Sequence, residues 1–135
     1  MSTIPVYRED LLVEALRELT EALEGIRGAV IVSVEGFVVA AYPGGGSAPA
    51  APDSPQVAAM AATLFALGEQ TLLRLAQGES RRLLIEGDTG AMIVYPIDEQ
   101  AILAAMVRRE TKMGLALHTI ERWAGRLANI LNGTA

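Results

Sequence analysis

The stretch Ser54–Ala76, SPQVAAMAATLFALGEQTLLRLA, decides how this chain folds. It reads as one long helix: Ser54 suits an N-cap, Pro55 suits the first helical position, and Gly78 lies where a left-handed C-cap is expected. No charge falls between Pro55 and Gly68. Val57, Met60, Ala61, Leu64, Gly68, Leu72 and Leu75 form a stripe at helical spacing, and Ala58, Ala62, Phe65 and Ala66 extend the apolar surface well round the cylinder. An amphipathic helix buries one stripe, so a helix that is apolar on nearly every side needs cover on nearly every side. A chain of 135 residues is too small to surround it. The uncharged run is also far short of the roughly 20 residues of a membrane span. The helix is therefore read as an association surface rather than a core helix, since large exposed apolar patches mark interaction sites.

On the N-terminal side, Leu12, Leu16, Leu19, Leu23 and Ile26 recur at alternating steps of four and three, with Glu14, Arg17, Glu18 and Glu21 opposite. That pattern predicts a first helix over Val6 to Glu24, ended by Gly25 and Gly28. Ala29–Val34 is rich in β-branched residues, and Phe37–Tyr42 follows across Glu35-Gly36, so the two runs predict a hairpin. Pro43–Pro52, with its three consecutive glycines, reads as a linker loop. Gly44, Gly45 and Gly46 lack the lysine and following hydroxyl of a phosphate-binding loop.

On the C-terminal side, strands are predicted over Arg81–Glu86, Ala91–Pro96 and Ala101–Val107, with turns at Gly87-Asp88-Thr89-Gly90 and Ile97-Asp98-Glu99-Gln100. The last two strands are apolar on both alternating faces, which implies cover on both sides of the sheet. Thr111 is expected to cap a final helix lined by Leu117, Ile120, Trp123, Ala124, Leu127 and Leu131. The predicted order is αββαβββα within a single domain over residues 1–135. The fold class is α+β, an α/β sandwich: a five-stranded antiparallel sheet with the first and last helices on one face and the middle helix alone on the other. The outer side of that middle helix stays uncovered.

Composition narrows the function. Sixteen acidic against eleven basic residues give a net charge of −5, which disfavours a nucleic-acid partner. The absence of cysteine removes disulfides, thiolate metal sites and cysteine nucleophiles. Arg8, Glu9 and Asp10 stand where an export signal would be apolar, so a cytoplasmic location is expected. His118 is the sole histidine and has no ligand partner at helical spacing. Glu86 with Asp88 and Asp98 with Glu99 are carboxylate pairs in turns, and Ser33 lacks the Gly-x-Ser-x-Gly elbow. No catalytic set, metal site or cofactor is expected, and the protein is read as a non-enzyme.

The chain resembles the Roadblock family, the dynein light chain type domain. The resemblance covers nearly all of it: Leu19–Gly28 leading into Ala29–Ala40, the Ala-rich helix with Ala58-Ala59-Met60-Ala61-Ala62, and the closing strand and helix. It implies a profilin- or longin-like fold that dimerises by aligning middle helices and pairing third strands. It further implies a homodimer that binds a small Ras-like GTPase, stimulates its GTP hydrolysis by ordering the GTPase's own groups, or serves as a scaffold subunit. Carried onto this sequence, the dimer and partner interface falls on Met60, Leu64, Leu67 and Thr71 of the middle helix and on Arg82 and Leu84 of the third strand. Arg74 is the cation of that helix and reads as a solvated helix-end charge rather than an arginine finger. The alternative to a regulator or adaptor is a small-ligand sensor, which needs a concave pocket with convergent polar groups.

Overall fold

The computed structural model describes residues 6–44 and 51–133. Its elements are α1 (Val6–Ala22), β1 (Ile26–Ser33), β2 (Val38–Tyr42), α2 (Pro55–Arg74), β3 (Leu83–Glu86), β4 (Gly90–Pro96), β5 (Ala101–Arg108) and α3 (Met113–Leu131). The predicted order holds, with shifted boundaries. α1 stops at Ala22, and β1 begins at Ile26, so Gly28 lies inside the strand and not at the helix end. β3 starts two residues later than expected, at Leu83. The triple-glycine segment lies mostly outside the described residues.

All strand pairs are antiparallel, in the order β2-β1-β5-β4-β3. Side chains alternate across each strand, so neighbouring residues enter different cores. Ala29, Ile31, Ile93, Tyr95, Leu103 and Ala105 face α1 and α3, whereas Val30, Val32, Val94, Ile102 and Ala104 face α2. This double burial is why β4 and β5 read as apolar on both faces.

The two faces are unequally filled. Among the described residues nineteen buried ones make the α1/α3 core, including Leu12, Leu16, Leu19, Ile120 and Leu127, and eight make the α2 core. α1 and α3 each give a stripe with a polar back: Arg17 pairs with Glu14 and Glu21, and Arg126 reaches Glu18 across the two helices. The stripe of α3 is Ala116, Ile120, Ala124, Leu127 and Ile130, with Leu117, Trp123 and Leu131 only partly buried at its margin.

The expected caps are partly wrong. Ser54 does cap α2, its Oγ accepting a hydrogen bond from the Val57 amide at 3.3 Å. The left-handed C-terminal position falls on Ala76 (φ 55°), with Ala76 N donating to Leu73 O at 3.1 Å and Gln77 N donating to Leu72 O at 2.9 Å. That is the Schellman pattern, closed two residues before Gly78. α3 begins after Lys112 with no side-chain cap. Thr111 turns its hydroxyl inward, where it is buried without a hydrogen-bond partner.

Candidate functional site: an uncovered helix flank beside a free strand edge

α2 buries three side chains in the sheet, Ala58, Ala61 and Phe65. They share one side of the helix. The small alanines let the helix lie close to β1 and β5, so the larger apolar residues are left on its flanks. Met60 is 61% exposed, Leu64 37% and Leu67 58%. Thr71 is exposed one turn beyond Leu67. Its hydroxyl donates to Leu67 O at 2.8 Å, and Thr63 donates to Ala59 O at 2.8 Å. Both hydroxyl protons are thus used within the helix.

The Met60–Leu64–Gly68–Thr71 row runs along the side of α2 next to β3: the Leu83 Cδ1 atom lies 4.0 Å from where a Cβ on Gly68 would stand. Among the described residues β3 is an outermost strand, hydrogen-bonded to β4 alone. Its register is Leu83↔Val94, Leu84↔Ile93, Ile85↔Met92 and Glu86↔Ala91. The phase of the ladder follows from the turn, where Gly87 N donates to Gly90 O at 2.8 Å. Hydrogen-bonded and open positions alternate in an antiparallel pair. Ile85 and Leu83 therefore bond to β4, and the N–H and C=O groups of Arg82, Leu84 and Glu86 point away from the sheet. An open edge of this kind is a template for another strand.

The edge is not polar enough to be protected. Leu84 and Ile85 are each 38% exposed, on opposite faces of the sheet. Arg82 lies beside them, its guanidinium 6.0 Å from the centroid of the Tyr95 ring. Burial pushes the Tyr95 phenol above its ordinary pKa, and the Arg82 charge opposes that shift. All six residues assigned to the interface are exposed: Met60, Leu64, Leu67 and Thr71 on the helix, Arg82 and Leu84 at the strand edge.

Sequence reasoning missed a second exposed apolar group. Val34 and Phe37 stand out from the β1–β2 turn, Phe37 at 71% exposure. The turn is four residues long, not two: Ser33 N donates to Phe37 O at 2.8 Å, and Ser33 Oγ accepts from Phe37 N at 3.1 Å. Gly36 takes a positive φ of 99° there, against the backbone of Ala59. A shallow groove joins Val34 and Glu35 to Ala59, Ala62, Thr63, Ala66, Leu67 and Gln70 of α2. A strict two-residue hairpin template hid this turn.

The remaining candidates for chemistry have structural settings. His118 is exposed on α3. Asp98 Oδ1 accepts a hydrogen bond from the Gln100 amide at 2.8 Å, which shapes its turn. Ser33 uses its hydroxyl on Phe37. Arg74 is exposed in the last turn of α2, where a cation complements the helix dipole. Among the described residues no group of three or more His, Cys, Asp or Glu is placed to hold a metal. Among them, too, no helix is long and apolar enough to cross a membrane.

These features define an α+β sandwich of profilin-like architecture with exposed apolar side chains along α2 and at the edge of β3. The chain belongs to the Roadblock/LC7 family, whose domain model matches residues 12–106. It is 29% identical over 104 residues to the uncharacterized protein MJ0310 of Methanocaldococcus jannaschii, covering 77% of this chain and 86% of that protein. Among solved structures it is similar to MglB in a tetrameric arrangement, with a TM-score of 0.84 at 21% identity over 98% of this chain and 96% of that one. Profilin from Schizosaccharomyces pombe matches with a TM-score of 0.63 at 20% identity, over 88% of this chain and 98% of that one.

Proposed function

We propose that this protein is a non-catalytic homodimeric regulator or adaptor that binds a small Ras-like GTPase through a platform of two α2 helices, and that it stimulates GTP hydrolysis by ordering the GTPase's own catalytic groups. One observation carries the proposal: the exposed Met60 and Leu64 lie on the side of α2 next to the open edge of β3, with Leu67 exposed on the outer face of the helix. A second copy covers both at once, extending the sheet and laying one α2 against the other. Family membership supports the same reading. So does the tetrameric arrangement of MglB, a protein of the same fold. The two helices together then offer a continuous face, including Ala59, Thr63, Ala66 and Gln70, that a partner domain meets.

The test is binding and turnover with candidate small Ras-like GTPases. A complex on size exclusion and faster single-turnover GTP hydrolysis in its presence are expected. A complex without acceleration assigns the adaptor role, and the absence of any complex removes the GTPase reading.

A ligand sensor is a second reading, favoured by one feature. The Tyr95 hydroxyl is buried without a hydrogen-bond partner, at an open cleft lined by Glu79, Ser80, Arg81 and Glu121. Convergent polar groups around an unpaired phenol suit a small polar ligand. Such a ligand raises the melting temperature in proportion to the logarithm of its concentration. Y95F, which removes only the hydroxyl, abolishes that shift.

A further inference from the structure

The open edge of β3 carries a charge pattern that is its own complement. Leu84 pairs with Ile93 and Glu86 with Ala91, residues that pack toward α1 and α3. Arg82 lies over the ring of Tyr95, on that same face. One face of the edge therefore reads base, leucine, acid, in steps of two, with Leu84 midway between Arg82 and Glu86. Both charged residues are exposed.

We propose that Arg82 and Glu86 make this edge select a second copy of the same chain, in a register centred on Leu84. The inference rests on the reading above that β3 pairs with its own copy. A twofold axis perpendicular to the sheet keeps both α2 helices on one side. Side chains directly opposite each other must then share a face, so the axis passes through a residue and never between two. Four residues of β3 can carry the axis, and at Glu86 it sets the two Glu86 carboxylates against each other. With the axis at Leu84, Arg82 lies opposite the partner's Glu86 twice, leucine meets leucine, and Leu83 meets the partner's Ile85 on the α2 side. With the axis at Ile85, Leu84 faces the partner's Glu86 twice, and Arg82 projects past the end of the strand toward the partner's Asp88. With the axis at Leu83, Arg82 faces the partner's Leu84 twice, and Glu86 has no cation opposite. Only the Leu84 register sets charge against opposite charge and apolar against apolar, and directly opposed pairs are the unit of sheet stabilisation. It also uses every outward N–H and C=O of Arg82, Leu84 and Glu86. A paralogous edge without this spacing meets unmatched charges, so the pattern acts as a specificity code for self-pairing.

Charge exchange tests the code. R82E and E86R each place like charges opposite one another twice in their own dimers, and each is expected to weaken dimerisation about tenfold or more at low salt. The double variant R82E/E86R restores the affinity of the parent. In an equimolar mixture of the two single variants, one chain offers two acids and the other two bases, so native mass spectrometry should find heterodimer well above the statistical half. Single variants that dimerise like the parent, together with a statistical mixture, overturn the register. Hydrogen exchange isolates the underlying reading. The Arg82, Leu84 and Glu86 amides should be protected in the parent dimer and free in L64E. Free exchange in an intact parent dimer shows that β3 is not the paired edge, and then both the inference and that part of the proposed function fall.

Discussion

Replacing Leu64 with glutamate should dissociate the proposed homodimer while leaving the protomer folded. Leu64 keeps 37% of its surface open on the flank of α2. Covering that remainder yields about a third of the ~2 kcal/mol of a fully buried leucine, and twofold symmetry counts it twice, for about 1.5 kcal/mol per dimer. The glutamate also brings a charge into a contact between Met60, Leu67 and their copies, where nothing pairs with it. Stripping water from an unpaired carboxylate costs several kcal/mol for each protomer, even after relaxation. Together these terms exceed about 5 kcal/mol, a loss of more than a thousandfold in dimerisation constant. In the free protomer the same carboxylate reaches water from its half-open position, so the helix and the Ala58–Ala61–Phe65 contact persist. Sedimentation velocity over a range of concentrations, with far-ultraviolet circular dichroism as the control for folding, reads both effects. An L64E sample that sediments like the parent at micromolar concentration refutes the placement of the interface. L64A provides scale, because it removes contact area without adding charge and should weaken association only about tenfold.

Two further substitutions probe the frame that presents this surface. Ala76 holds a left-handed backbone (φ 55°) at the Schellman turn after α2, a conformation that disfavours any residue with a Cβ by about 1 kcal/mol relative to glycine. A76G should raise the melting temperature by a few degrees in calorimetry, and an unchanged or lower value contradicts the assigned strain. Gly25 lies beneath Thr111, where an added Cβ would clash with Oγ1 and stand 2.6 Å from the Thr111 Cβ. The Gly25 carbonyl also accepts a hydrogen bond from Arg108 N at 2.8 Å, which holds the backbone in place. G25A should lower stability to urea by about 2 kcal/mol, and G25A/T111G should regain most of that loss; equal penalties in both backgrounds would show that the crowding is not at Thr111.

Much of this molecule is legible along the chain. The Leu12, Leu16 and Leu19 stripe of α1 is fully buried as its period demands, because a helix with one apolar face has one way to dock. β4 and β5 are buried on both faces as their unbroken apolar runs imply. The Ser54 cap and the inability of a small domain to cover α2 are equally local inferences. Where several arrangements satisfy the same local rule, the sequence loses its grip. α2 is apolar almost all round, so periodicity does not say that Ala58, Ala61 and Phe65 face the sheet while Met60, Leu64 and Leu67 face out. Thr111 looks like a helix cap but is drawn inward by the close approach of Gly25. Ala76 takes the left-handed turn that glycine ordinarily occupies, because Leu72 and Leu73 carbonyls close the helix before Gly78 is reached.

The amino-acid sequence alone therefore determined the number, kind and order of the elements, and also that one helix carries more apolar surface than the chain can hide. These are properties of short windows, set by side-chain period and backbone preference. Tertiary structure decided which side of α2 is buried and that one of its bare flanks adjoins an open strand. Both follow from the distant pairing of β1 with β5, from Ile26↔Val107 to Ser33↔Ala101, which takes the centre of the sheet and sends β3 to its border. A contact between residues so far apart along the chain depends on how two cores fill together, and no local pattern encodes it.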